Sequence, residues 1–114
     1  MKYHFVAFLM LTFSVFAASC ARSPEHFYFG SYSEAEMFYK KGEYERAIQM
    51  YQAYIDENPE GNMAVIAKYY IAKSRLELGQ TEEAKLLFEE VVRNYPDVVW
   101  ANFSQTQLDQ MNES

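Results

Sequence analysis

Catalysis needs a nucleophile beside a base, and this sequence places few such groups within reach of each other. Its two histidines, His4 and His26, both lie among the first 26 residues, apart from any cluster of ionisable side chains. The carboxylate pairs Glu82-Glu83 and Glu89-Glu90 stand seven positions apart, close enough to share a helix face. Acid–base work would require one of them to be desolvated with its pKa raised. All four fall off the apolar stripe described below, so they read as a solvated face. The four glycines, Gly30, Gly42, Gly61 and Gly79, never cluster into a phosphate cradle. A single cysteine, Cys20, excludes a disulfide framework and a cysteine-based zinc site. The residues therefore point away from an enzyme, with no metal, no cofactor and no small-molecule substrate expected. The one reactive group left is the thiol of Cys20.

That thiol sits at an informative place. Lys2 precedes thirteen residues, Phe5 to Ala17, diluted only by Thr12 and Ser14. A cationic start followed by an apolar run of this length has the form of an export signal. As a helix the run would reach roughly 20 Å, short of the ~30 Å hydrocarbon core, and a spanning helix would need Ala18 to Ala21 added to it. Ala17-Ala18-Ser19 then lead directly into Cys20. This junction resembles the lipobox of bacterial lipoproteins, with Ala17 where those proteins favour leucine. The resemblance implies that residues 1–19 are a signal peptide and that Cys20 becomes a lipidated N-terminus. Several acyl chains, each contributing about 0.8 kcal/mol per buried CH₂, would make a stable anchor. Ala21 stands where aspartate would retain such a protein in the inner membrane, so the implied address is the outer membrane, facing the periplasm.

Ten Lys/Arg against sixteen Asp/Glu give a net charge of −6. Loss of Lys2 with the signal would leave nine against sixteen, or −7. No face of so acidic a chain has spare cations to neutralise phosphates, which argues against a nucleic-acid partner. Half the residues are apolar and 18% are aromatic, enough to build one small folded domain. Residues 20–30 read as a tether, broken by Pro24 and Gly30. Within it the cluster Phe27-Tyr28-Phe29 has two readings: it packs on the first helix, or it lies among lipid headgroups.

From Ser31 onward the chain repeats itself. Gly42 recurs as Gly79, Ala47 as Ala84, Tyr51 as Phe88, Ile55 as Val92 and Pro59 as Pro96, each 37 positions on. Every unit reads as two antiparallel helices, predicting an all-α helix-pair solenoid. Ser33 with Glu36 has capping-box spacing, with Ser31 and Glu34 offering the same chemistry two residues earlier. Gly42 and Gly79 suit the left-handed position that ends a helix. Tyr44, Ala47, Ile48, Tyr51 and Ile55 form one apolar stripe, and Ala84, Leu87, Phe88, Val91 and Val92 form its echo. Asn62, Thr81 and Asp97 are placed to cap the later helices. The last helix, Val98 to about Met111, carries Trp100, Phe103, Leu108 and Met111 and aligns with a first helix that has no second behind it. The predicted divisions are a domain over 31–111, with units 31–59 and 62–96 and a capping helix 98–111, followed by a tail at 112–114.

The pattern G-x-Y-x-x-A-I-x-x-Y…P over Gly42 to Pro59, echoed from Gly79 to Pro96, resembles the tetratricopeptide repeat (TPR). The family's first-helix Trp, Leu, Gly and Tyr correspond here to Ser31, Glu34, Ala35 and Phe38, then to Lys68, Ile71, Ala72 and Arg75. A clipped first helix and an unusual seat for Arg75 follow from those departures. The long period behind a lipoprotein-like signal is similar to BamD-like and Tol-Pal-associated periplasmic repeat lipoproteins.

The resemblance also implies a concave groove lined by the first helix of each unit. Its positions fall on Tyr32, Glu36, Tyr39 and Lys40 in unit one, preceded by Phe29. In unit two they fall on Ile66, Tyr69, Lys73, Leu76 and Glu77. Tyrosines with mixed charges suit an extended or helical peptide. The expected function is a lipid-anchored periplasmic adaptor binding an envelope protein or peptide. The alternative is an accessory subunit of an outer-membrane machine for barrel assembly, pilus formation or secretion.

Overall fold

The computed structural model describes residues 28–114; the signal-like segment, Cys20 and Phe27 lie outside the described residues. Five helices follow in order: α1 (Ser31–Lys40), α2 (Tyr44–Glu57), α3 (Asn62–Glu77), α4 (Thr81–Asn94) and α5 (Val99–Asn112). Turns of three or four residues join them, so neighbours run antiparallel. Each helix packs on the next, and α3 also meets α5. This is the helix-pair solenoid that the 37-residue period predicts. Among the described residues no helix is long and apolar enough to cross a membrane.

The two tight turns are built alike. The N–H of Gly42 donates to the Tyr39 carbonyl at 3.0 Å, and that of Glu43 to the Phe38 carbonyl at 2.9 Å. Gly79 and Gln80 repeat this pair of bonds to Leu76 and Arg75, at 3.0 and 2.9 Å. Such a Schellman turn needs a left-handed residue, and both glycines adopt φ 78°. The same turn explains why Thr81 is not the cap expected of it. The restart is so immediate that Gln80 closes one turn and serves as N-cap of the next helix, leaving Thr81 as its first helical residue.

The other expected caps are also corrected. Gly30 and Gly61 take the N-cap positions of α1 and α3 at φ 58° and 109°, so Asn62 begins its helix rather than capping it. Ser33 is already inside α1, where its hydroxyl accepts the Phe29 N–H at 2.7 Å. Glu34 is engaged by the Tyr28 hydroxyl at 2.8 Å. Val98, in extended conformation, precedes α5, so Asp97 lies one residue too early to cap it.

The apolar stripes fall inward as predicted. Ala47, Tyr51 and Ile55 of α2, and Ala84, Phe88 and Val91 of α4, are all buried. Alanines at the closest approaches let helix axes come together, while Tyr51 and Phe88 fill the space between units, each contributing about 2–3 kcal/mol by burial. In α5, Ala101, Ser104 and Leu108 point into the stack. Phe103 does not: it is exposed and leans edge-on against Trp100, with centroids 5.2 Å apart. The outer side of α5 is polar. Asp109 stands where the repeat puts the buried Ala35 and Ala72, and it accepts a hydrogen bond from Gln105 at 2.9 Å.

The first helix of unit one is short, ten residues against sixteen in α3, as the departures from the family pattern led us to expect. Arg75 occupies the place of Phe38. Its Nη1 donates to Gln80 Oε1 at 2.7 Å, whereas the Phe38 ring instead receives Arg46 over its face at 5.7 Å. The same backbone turn is thus flanked by a side-chain hydrogen bond in one unit and by a cation–π contact in the other.

Candidate partner-binding face

Helices α1, α3 and α5 run parallel and present one side of the stack. Between α2 and α4 the opposite side opens into a cleft of about 460 Å³, floored by Ile71 and Arg75 of α3. On the odd side, α3 meets α5 directly and Tyr39 of α1 meets Tyr70 of α3, and in stacked helix pairs the first helices line the concave side.

The offset of 37 arranges this side in rows. Phe29, Ile66 and Phe103 form one row, Tyr32, Tyr69 and Thr106 the next, and Glu36, Lys73 and Gln110 a third. Tyr39 and Leu76 share another, as do Lys40 and Glu77. Of the residues assigned to the groove, Lys40 and Glu77 are exposed, and Glu36, Tyr39, Ile66, Lys73 and Leu76 are partly exposed. Tyr32 and Tyr69 differ from expectation, being only 7% and 8% exposed. The short α1 lets the Tyr32 ring fall onto α2, where it meets Tyr51 and Tyr54 edge-on at 5.7 and 5.4 Å. Tyr69 is enclosed by Phe88, Trp100 and Tyr70, at 5.8, 5.1 and 5.3 Å. Both rings are packing residues that floor the face rather than line it.

A residue missed in the sequence joins these clusters. Tyr70 lies parallel to Tyr51 (5.8 Å, 14°) and edge-on to Tyr39 (5.1 Å), and it contacts Trp100 at 5.9 Å. One connected set of rings therefore runs from Tyr54 in α2 to Phe103 in α5. The offset gives no hint of Tyr70, because its counterparts are Ser33 and Gln107. The available signal was the Tyr69-Tyr70 doublet itself.

Burial is the main cause of the phenol pKa shifts on this face. It pushes Tyr32 up to about 12, helped by Glu36, and Tyr39 up to about 12, helped by Tyr44 and Glu77. Tyr51 and Tyr69 are raised by the same desolvation. Near neutral pH these side chains are un-ionised phenols, able to donate and accept hydrogen bonds. Glu36, Lys40, Lys73 and Glu77 bring both signs of charge to the rim.

Among the described residues, no group of three or more His, Cys, Asp or Glu side chains could hold a metal ion. Glu82 and Glu83 are exposed, and Glu90 lies 3.9 Å from Lys68. Cys20 lies outside the described residues.

A short series of antiparallel helix pairs, glycine-closed and stacked through small residues, defines a protein-interaction solenoid. The chain belongs to the tetratricopeptide repeat family, which it matches over residues 32–61 and 67–97, more than half its length. No curated protein matches it. Repeats of this family act as scaffolds that bind protein or peptide partners.

Proposed function

We propose that this protein is a lipid-anchored adaptor, held by Cys20 in the outer membrane and facing the periplasm, that captures an envelope protein or peptide on its concave side. The observation that carries the binding half is the half-open Tyr39, seated between Tyr44 at 5.5 Å and Tyr70 at 5.1 Å with the Glu77 carboxylate near it, on the side that carries Lys40, Lys73 and Leu76. A fixed aromatic with a free hydroxyl and charges of both signs offers a peptide area, hydrogen bonding and orientation at small entropic cost. The address rests on the export-like segment and on the Ala-Ala-Ser-Cys junction.

A photocrosslinking residue at Lys73 in living cells tests the binding half. The expected result is a discrete protein adduct that Tyr39→Ala diminishes; adduct formation unaffected by Tyr39→Ala would remove the concave face from the account. Metabolic palmitate labelling tests the anchor: label is expected on the wild type and absent from Cys20→Ser.

The accessory-subunit reading draws on Leu86, which is exposed on α4. A second contact surface there would suit a subunit held between neighbours. A stoichiometric complex recovered from detergent-solubilised membranes, and lost on Leu86→Ser, would favour it.

A further inference from the structure

The first turns of α3 and α5 lie at one edge of the stack, because alternate helices are parallel, and at the offset of 37 the Tyr28-Phe29 lead-in to the shorter α1 is level with Val65 and Ile66 there. That edge is unusually apolar for a surface. Tyr28 is 69% exposed, Phe29 50%, Val99 53% and Phe103 44%. Between α3 and α5 it holds a cleft of about 360 Å³ lined by Val65, Ile66, Val98, Val99 and Trp100, with Asn62 at its mouth. Of the two sequence readings for the aromatic cluster before α1, packing on the first helix holds for Tyr28 through its hydroxyl alone, which donates to Glu34 of α1 at 2.8 Å, while its ring stands out in solvent.

We infer that this edge rests on the lipid surface, so that the domain docks on the membrane that anchors it. The inference depends on the lipid-anchor reading of Cys20. What selects a bilayer over other occupants is the chain outside the described residues and where it ends. Tyr28 follows Cys20 by eight positions, which limits their separation to roughly 28 Å however the chain runs. An acylated Cys20 therefore keeps the apolar edge within reach of headgroups at all times, and the first residues to emerge are aromatics suited to that depth. Val99, Phe103 and the flank of Trp100 extend the contact across the edge. The charge at this edge narrows the lipid. Glu57 at the end of α2, Glu60 in the α2–α3 turn and Asp97 in the α4–α5 turn are all exposed beside it, which suits a zwitterionic surface better than an anionic one. So seated, the helices stand away from the bilayer, the concave side opens laterally, and the Gly42 and Gly79 turns point into the periplasm.

Trp100 is the single tryptophan of the chain and lines the cleft at this edge, which makes it the reporter. The full chain, purified from membranes, is reconstituted into phosphatidylcholine–phosphatidylethanolamine vesicles with brominated acyl chains, a contact quencher of indole. Docking predicts at least twofold loss of Trp100 emission relative to unbrominated vesicles. The loss should halve or better in Tyr28→Ser/Val99→Ser, two positions exposed enough to leave the fold intact by circular dichroism, and should shrink when phosphatidylglycerol is included. Mass spectrometry of the N-terminal peptide separates the two layers of the argument. An acylated protein whose Trp100 is not quenched overturns the docking and leaves the anchor standing. An unacylated peptide overturns the anchor reading and the docking with it. A photocrosslinker at Val99 that yields a protein adduct instead of lipid overturns the docking in favour of a protein occupant.

Discussion

Tyr39 and Tyr70 meet edge to face across α1 and α3, 5.1 Å between centroids and 73° between planes, and their contact joins the first helices of successive repeats. The pair divides labour. Tyr70 also carries Tyr51 and Trp100, whereas Tyr39 leaves part of its surface exposed.

Truncating the two rings should separate stability from binding. Tyr70→Ala breaks contacts to three helices and is expected to cost about 3 kcal/mol or more, as large aromatic truncations in cores do. Tyr39→Ala should cost about half as much while abolishing most partner capture. Urea denaturation alongside crosslinking yield reads both quantities. Equal destabilisation by the two would mean that Tyr39 is a core residue.

Ser104 offers a gain. Its side chain is fully buried, its hydroxyl has no partner, and it stands where the previous unit has Ala67. A buried unsatisfied polar group costs about 1–3 kcal/mol. Ser104→Ala should therefore raise stability by ~1 kcal/mol and lift the melting temperature by several degrees. A lower melting temperature would show that the hydroxyl is satisfied in solution.

Gly42→Ala and Gly79→Ala should each cost about 1–2 kcal/mol, by nearly equal amounts. Both glycines sit at φ 78°, and an added Cβ at either meets nothing within 4 Å. The cost is backbone strain alone, and equality between the sites follows from the identical turns. Thermal melts of the two variants, matched for concentration, check it.

Alkaline pH should unfold the domain. The unfolded chain loses its phenol protons near pH 10, while Tyr32 and Tyr39 hold theirs to about 12 in the native state. The unfolded state therefore binds fewer protons in that window, and stability falls as pH rises through it. It should stay flat with respect to these groups below pH 10. Absorbance at 295 nm is expected to rise in step with the loss of helical circular dichroism. Full tyrosinate formation with the helices intact would contradict the burial seen here.

Much of the architecture is local and so was readable in one dimension. Helix period, two glycines that alone tolerate φ 78°, and apolar residues at spacings of three and four specify the elements and the faces they bury. A repeat at offset 37 says the units stack, since a helix pair alone cannot cover its own apolar stripe. The cysteine junction and charge balance are likewise properties of the chain itself. Helix starts were less legible. Ser33, Asn62, Thr81 and Asp97 have capping chemistry, but glycines at positive φ take the cap positions from the first two, the immediate restart after a Schellman turn takes it from Thr81, and the extended Val98 takes it from Asp97.

Which tyrosines are surface and which are core was decided only by tertiary packing. Tyr32, Tyr39 and Tyr69 look equivalent in the sequence, each on the first helix of a unit. Their burial depends on what lies across from them: Tyr51 and Tyr54 of α2 for Tyr32, Trp100 and Phe88 for Tyr69, and only the edges of Tyr44 and Tyr70 for Tyr39, which stays partly exposed. The same holds for Phe103, whose spacing suits a core but whose ring stays exposed, edge-on to Trp100. Periodicity assigns a residue to a face of its own helix; only the neighbouring helices determine whether that face is covered.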